Sequence, residues 1–295
     1  MEARTKQIWD THVHCFDPAR HPFKPTRKYT PAAAPLEALV NDRLADRVVI
    51  VQASIENGPS GLMNHLVRIR AEYPHLLARG IISMDESWDS LREEDVDKLH
   101  DLGVRFCRIH QFSQGVMTDA SPIMEQFRAF AASYAYRKWG WGISAQLPLK
   151  IWASLKDCIS QDPHLSRLKI IADHVGCASP ADFASPEFDT FVQLLQDGRL
   201  MVKISALYRR SPEAILKMKP IIQKLAESAP DALLWGSDWP HVDSTQQSLD
   251  PPAVPKEIDV QQELLLLQSW LSQDQWEKMV FHNPERIFWR MRGIR

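Results

Sequence analysis

Eight apolar runs rich in β-branched residues, separated by segments of helical period, constrain this chain more than any other feature. The runs lie at 8–16, 47–54, 78–84, 103–110, 140–148, 168–176, 200–205 and 232–240. Apolar spacing near 3.6 residues marks the intervening segments 62–72, 90–102, 122–138, 149–159, 188–197 and 212–228. Strands that alternate with helices are joined by right-handed crossovers and form a parallel sheet. Eight such units within 295 residues predict an α/β fold, a closed (β/α)8 TIM barrel, with extra C-terminal helices drawn from 261–292. The whole of 1–295 reads as one domain. A doubly wound nucleotide-binding sheet would require G-x-G-x-x-G after an early strand, and none of the 11 glycines forms one.

Composition narrows the function classes. A net charge of −2 offers no electrostatic footprint for nucleic acid or for an anionic membrane surface. No apolar run approaches the ~18 residues of a membrane span. Cys15, Cys107, Cys158 and Cys177 are widely spaced, as expected of reduced, mostly buried thiols rather than a disulfide framework. Residues 1–7 are polar and lead straight into the first run, so no leader peptide is expected. These features describe a cytoplasmic protein whose partner is a small molecule, with homo-oligomerisation left open.

In a parallel barrel the C-terminal ends of the strands surround one mouth, where distant side chains converge. Two long stretches follow strands and are expected over that mouth: the proline-rich 17–35, and 242–259 with Pro251, Pro252 and Pro255. The first run places His12 and His14 on one face of a strand. Such a pair can hold a metal, a proton or an oxyanion, although it also occurs as a satisfied core pair. His174 and Asp238 each close a run that is otherwise apolar, so each is desolvated and needs a partner or a task. Arg105 sits inside a strand pattern, where it would bind either a substrate carboxylate or an internal acid. Ser54, Gln146 and Arg209 stand at or just past other strand ends. For a metal, only His12, His14 and Asp238 suggest themselves; the fifth run reads Trp-Gly-Ile-Ser-Ala-Gln and supplies no histidine.

These residues fall in motifs: Asp10-Thr11-His12-Val13-His14, Arg27-Lys28-Tyr29-Thr30-Pro31, Val49-Ile50-Val51-Gln52-Ala53-Ser54, Gly103-Val104-Arg105-Phe106, Asp173-His174-Val175-Gly176 and Trp235-Gly236-Ser237-Asp238-Trp239-Pro240-His241. In this order the set resembles the amidohydrolase superfamily, and more narrowly its lactonase branch. The resemblance implies hydrolysis of a small, carboxylated lactone with no cofactor required. It implies Asp238 as the general base for water and His12, His14 and His174 as the electrophile that polarises the carbonyl. Arg105, Tyr29, Ser54, Gln146, Arg209 and His241 become substrate-binding candidates. The branch's dicarboxylate-opening enzymes carry a second arginine where this chain has Gln111, and a tyrosine where Gln146 is the counterpart. Each lost charge-assisted pair costs about 1.5–3 kcal/mol, which points to a substrate with fewer carboxylates. The alternatives are a zinc-dependent non-oxidative decarboxylase of the same superfamily, with one divalent ion on His12, His14 and Asp238, and a non-catalytic binding barrel.

Overall fold

Eight strands form one sheet in chain order, with every neighbouring pair parallel. They are β1 Trp9–Val13, β2 Arg47–Val51, β3 Leu77–Ser83, β4 Val104–His110, β5 Gly142–Gln146, β6 Ile170–Ala172, β7 Met201–Ile204 and β8 Leu233–Trp235. The computed structural model describes residues 8–85, 88–110, 119–242, 249 and 256–289. Residues 1–7, Gln111, most of the 242–259 stretch and the tail beyond 289 therefore lie outside the described residues.

The sheet closes on itself where β1 meets the chain just past β8. Asp238 N donates to His12 O at 2.9 Å and His14 N donates to Trp239 O at 2.8 Å. Thr11 Oγ1 reaches Trp235 O at 2.6 Å. The resulting barrel has the expected (β/α)8 form, with helices such as Ser60–Glu72, Glu93–Leu102, Pro186–Gln196 and Lys219–Ser228 packed outside. Their buried faces follow the 3.6 period, and Leu62, Leu66 and Ile69 of the first are typical. Two predicted helices are each broken in two. Ser133, at ψ 158°, ends Ser121–Ala132 and caps Tyr134–Trp139, and Leu155 divides Leu149–Ser154 from Lys156–Gln161. A short helix, Leu36–Asp42, has no counterpart among the predicted segments; seven residues hold too few turns for periodicity to register. The closing helices are Val260–Trp270 and Gln273–Glu277, followed by wider turns.

Trp9, Val49, Val51, Ile81, Phe106, Ile171 and Leu234 fill the lower barrel, and Ile287 and Phe288 of the tail plug it from below. Gly142 leaves room for this packing, because a Cβ there would lie 2.3 Å from the Phe106 ring. Every fully buried side chain of this size contributes about 1.5–3 kcal/mol. At the other end, 17–35 folds back on the mouth through bridges Phe16↔Ala34 and Phe23↔Glu56. Its aromatic residues pack with Ala53, Ile55 and Val242. All four cysteines are free thiols, and no helix among the described residues is long and apolar enough to cross a membrane.

The seam is tight at Gly236, where an added Cβ would stand 2.7 Å from His12 Cβ and 2.9 Å from His12 N. Gly236→Ala must push β1 away from β8. We expect a loss of ~1–3 kcal/mol in stability, read as a lower urea midpoint at unchanged slope, together with reduced turnover. An unaltered midpoint would mean that the seam yields freely.

Candidate active site

Trp9 points into the barrel, and simple alternation would then turn His12 and His14 outward. A bulge in β1 reverses this: Asp10 pairs with Val48, but Val13 pairs with Ile50, so β1 spends one extra residue. Asp10 holds the bulge, its Oδ1 accepting from His12 N at 3.1 Å and from Ser237 N at 2.9 Å. Both imidazoles are thereby turned into the mouth. His174 and Asp238 follow β6 and β8 with φ of 53° and 62°, the left-handed region that side-chain-bearing residues seldom adopt. Ala206 and His241 share it, at 51° and 61°. Each such conformation costs on the order of 1–2 kcal/mol and persists only where the surroundings enforce it.

The result is a carboxylate ringed by three imidazoles. Asp238 Oδ1 lies 3.7 Å from His12 Nε2, 3.8 Å from His14 Nε2 and 3.9 Å from His174 Nε2. Ring centroids are 5.0 Å apart for His12 and His14, and 4.6 Å for His12 and His174. All four side chains are buried, yet Asp238 Oδ1 and His12 Nε2 have no hydrogen-bond partner among the described residues. The other carboxylate oxygen is fully engaged: Oδ2 accepts from Tyr208 OH at 2.8 Å and pairs with Arg209 Nη2 at 3.0 Å. Arg209 Nε in turn donates to Tyr208 OH at 2.9 Å.

Burial alone would raise the pKa of Asp238, but the Arg209 guanidinium and the surrounding imidazoles together outweigh it and hold the carboxyl well below the usual range. Burial, followed by the positive charge of Lys203, lowers His12 to about 4. Burial also carries His14 and His174 well below the ordinary histidine value. At neutral pH the three rings are therefore uncharged beside an ionised Asp238, and Arg209 is its counter-ion.

The structure brings most of the sequence candidates together. Gln146, at the end of β5, accepts from Arg108 Nη2 at 3.3 Å. His241 N donates to Asp238 O at 2.9 Å, and its ring meets Tyr208 edge-on at 5.9 Å. Tyr29 descends from the mouth segment into the fields of Arg209, Arg108 and Asp238, burial raising its phenol. Ser54 lies half-buried just past β2. Gln111 lies outside the described residues.

Arg105 requires correction. Gly80 pairs with Val104 and Ile81 with Phe106, so Arg105 is the extra residue of a bulge at the lower end of β4. Its Nη1 donates to His100 O at 2.7 Å and to Val104 O at 2.8 Å, far from the mouth. The arginine in the site is Arg108, two residues beyond the inward Phe106, almost wholly buried, with Nη1 3.4 Å from Gln52 O and Nε 3.7 Å from Asp173 Oδ2. Tyr208, Lys203 and Asp173 also belong to the site. A lysine inside the apolar run Met-Val-Lys-Ile was the available signal for Lys203, whereas nothing local distinguished Tyr208.

His12, His14 and Asp238 each offer a ligand atom within 4.8 Å of the others, a spacing compatible with a metal ion. Among solved structures, an apo protein of Agrobacterium tumefaciens superposes with a TM-score of 0.72 at 19% identity, covering 97% of each chain. An amidohydrolase of Burkholderia multivorans with bound zinc gives 0.61 at 15% identity, covering 96% of this chain and 99% of that one. Both share the barrel. Among curated proteins, a 4-sulfomuconolactone hydrolase of Hydrogenophaga intermedia is 28% identical over 95% of this chain and 88% of its own. A 2-pyrone-4,6-dicarboxylate hydrolase of Comamonas testosteroni is 26% identical over 95% of this chain and 89% of its own. An amidohydrolase family profile matches residues 9–290, and the chain belongs to that family.

Proposed function

We propose that the protein hydrolyses a small anionic lactone, with water activated by Asp238 and the carbonyl polarised by the histidine cluster. The observation that carries this reading is the unpartnered Asp238 Oδ1 facing three imidazole Nε2 atoms at 3.7–3.9 Å. In this reading the attacking water and the carbonyl oxygen are held against these four atoms. His14 Nδ1 lies 2.6 Å from Val51 O, which can only accept, so its proton sits on Nδ1 and Nε2 presents a lone pair. A water in the gap finds two acceptors, Asp238 Oδ1 and His14 Nε2, which leaves its own lone pair directed at the lactone carbon.

Asp238 takes one proton from this water as the O–C bond forms, and negative charge grows on the carbonyl oxygen. Collapse of the tetrahedral intermediate breaks the ring C–O bond, and the departing oxygen receives the proton from Asp238. The product is the open hydroxy acid, whose new carboxyl releases its proton to solvent. Arg209 makes Asp238 a weak base, so much of the acceleration must come from stabilising the oxyanion.

Substrate charge is supported from two directions. The two curated relatives are named for lactones bearing sulfonate or carboxylate groups. Arg108 is buried beside the gap, and among the described residues its partners are two carbonyl-type oxygens and the longer contact to Asp173. Arg108 thus takes the carboxylate-binding role that the sequence suggested for Arg105.

The metal question turns on protons. Ligation through Nε2 requires that Nδ1 carry the hydrogen and give it to an acceptor. His14 meets that condition. His12 does not, since the group nearest its Nδ1 is the Lys203 ammonium at 3.2 Å. In this reading the donor set, with Lys203 facing His12 Nδ1, does not fit an ion.

Asp238→Asn should lower kcat by roughly 10²–10⁴-fold while leaving the thermal transition and circular dichroism unaltered; a nearly active variant would remove the base from the mechanism. Wild-type turnover of acidic lactones in a pH-indicator assay should survive exhaustive chelation. Loss of activity that zinc restores would reverse the metal assignment. Arg108→Met should raise KM about tenfold or more for acidic lactones and far less for neutral ones, the scale of one charge-assisted contact. Arg105→Met should leave both KM values where they are.

A further inference from the structure

Beneath the imidazoles lies an ion pair that the hydrolytic steps do not use. Lys203 is in the middle of β7, paired in register with Leu234, which lines the barrel interior. Its side chain is therefore directed at the barrel axis, and it is completely buried. A buried ammonium carries three protons and tolerates none of them unpaired. Three polar atoms surround Nζ: Asp173 Oδ1 at 3.0 Å, Ser144 Oγ at 3.2 Å and His12 Nδ1 at 3.2 Å. Ser144 gives its one hydroxyl proton to Asp173 Oδ1 at 2.7 Å, so towards Lys203 it can only accept. The third ammonium proton has a single destination, the lone pair of His12 Nδ1.

We propose that Lys203 is a positioning residue: it fixes His12 as a hydrogen-bond donor into the catalytic gap and, by the same contact, withholds His12 from a metal ion. A proton on His12 Nδ1 would set N–H against N–H across 3.2 Å. Asp173 Oδ1 could not relieve it, being 3.7 Å from that nitrogen and beyond hydrogen-bond reach. The His12 proton therefore resides on Nε2, aimed at the gap. His14 is held the opposite way by the Val51 carbonyl. The two histidines of the His-Val-His motif thus carry complementary tautomers, one donating a hydrogen bond to the carbonyl oxygen and the other accepting one from the water that Asp238 deprotonates. Lys203 Nζ at 3.0 Å from Oδ1 and Arg108 Nε at 3.7 Å from Oδ2 flank the Asp173 carboxyl, in keeping with a carboxyl held below its ordinary value against the opposing effect of burial.

The catalytic half of this proposal rests on the lactonase reading, whereas the tautomers belong to the free protein and are measured without substrate. Long-range proton–nitrogen NMR of histidine-labelled wild type separates bare from protonated ring nitrogens. The His12 and His14 signals are identified by their disappearance in His12→Gln and His14→Gln. We expect His12 protonated at Nε2 and His14 at Nδ1. A bare Nε2 on His12 overturns the proposal, whatever the lactone assay shows. The second arm compares zinc affinity, by competition with a chromophoric chelator, between wild type and the double variant Lys203→Met, Asp173→Asn. That variant removes both buried charges and leaves an amide oxygen able to accept from Nδ1. Zinc should bind it at least tenfold more tightly, and equal or weaker binding refutes the withholding role. If the double variant does not fold, the wild-type spectrum alone decides.

Discussion

The closure of the barrel between β1 and the chain past β8 is the constraint on which the site depends. It joins the two ends of the sheet through main-chain hydrogen bonds from Asp238 to His12 and from His14 to Trp239. The same contacts that complete the ladder set the Asp238 carboxylate against both rings of the His-Val-His motif. Asp10 binds the bulge to the far side of the seam through His12 N and Ser237 N, and Gly236 lets the strands approach. A barrel that failed to close there would lose its last strand pairing and its reactive centre together.

Strain and packing are divided between the two ends of the barrel. His174, Ala206, Asp238 and His241 hold left-handed backbone conformations around the mouth. The lower interior is a close-fitted set of aromatic and branched side chains, with Trp9 and Phe106 packed against Phe288 at ring centroids of 6.0 and 5.2 Å. The rigid lower layers over-determine the strand ends, which is what allows unfavourable torsions to persist above them.

Alternation of strand and helix was legible in the sequence because periods of 2 and 3.6 are properties of local pattern. Less legible was everything that departs from an even period. The runs at 168–176 and 232–240 read as long strands, but β6 and β8 have three residues each, since the chain beyond them leaves the sheet to shape the mouth. His12, His14, His174 and Asp238 stood out as polar residues in apolar runs, a signal that burial preserves. The expectation for Arg105 failed because a bulge shifts the phase of β4, and a bulge leaves no mark in hydrophobicity. Tyr208 was invisible for a different reason: its link to Asp238 exists only because Ala206 turns the chain just after β7.

Charge is layered along the barrel axis, and the order explains why neutral imidazoles suit this chemistry. Asp173 answers two cations at once, Lys203 at 3.0 Å and Arg108 at 3.7 Å, so the layer below the gap is incompletely neutralised. Above it, Asp238 is matched by Arg209. Protonated histidines between these layers would place further positive charge beside Lys203 and Arg108, and would tie up Asp238 Oδ1 as a fixed ion-pair partner. On the proposed mechanism, neutral rings instead leave that oxygen free to take a proton from water, and they leave the residual positive field of the lower layer to act on the carbonyl oxygen as it becomes negative. In a water-poor interior such a preset field stabilises developing charge without reorganising at the moment of reaction. On the proposed mechanism the buried ion pair thus contributes to the transition state at a distance, through the polarity it sets and through the proton it places on His12.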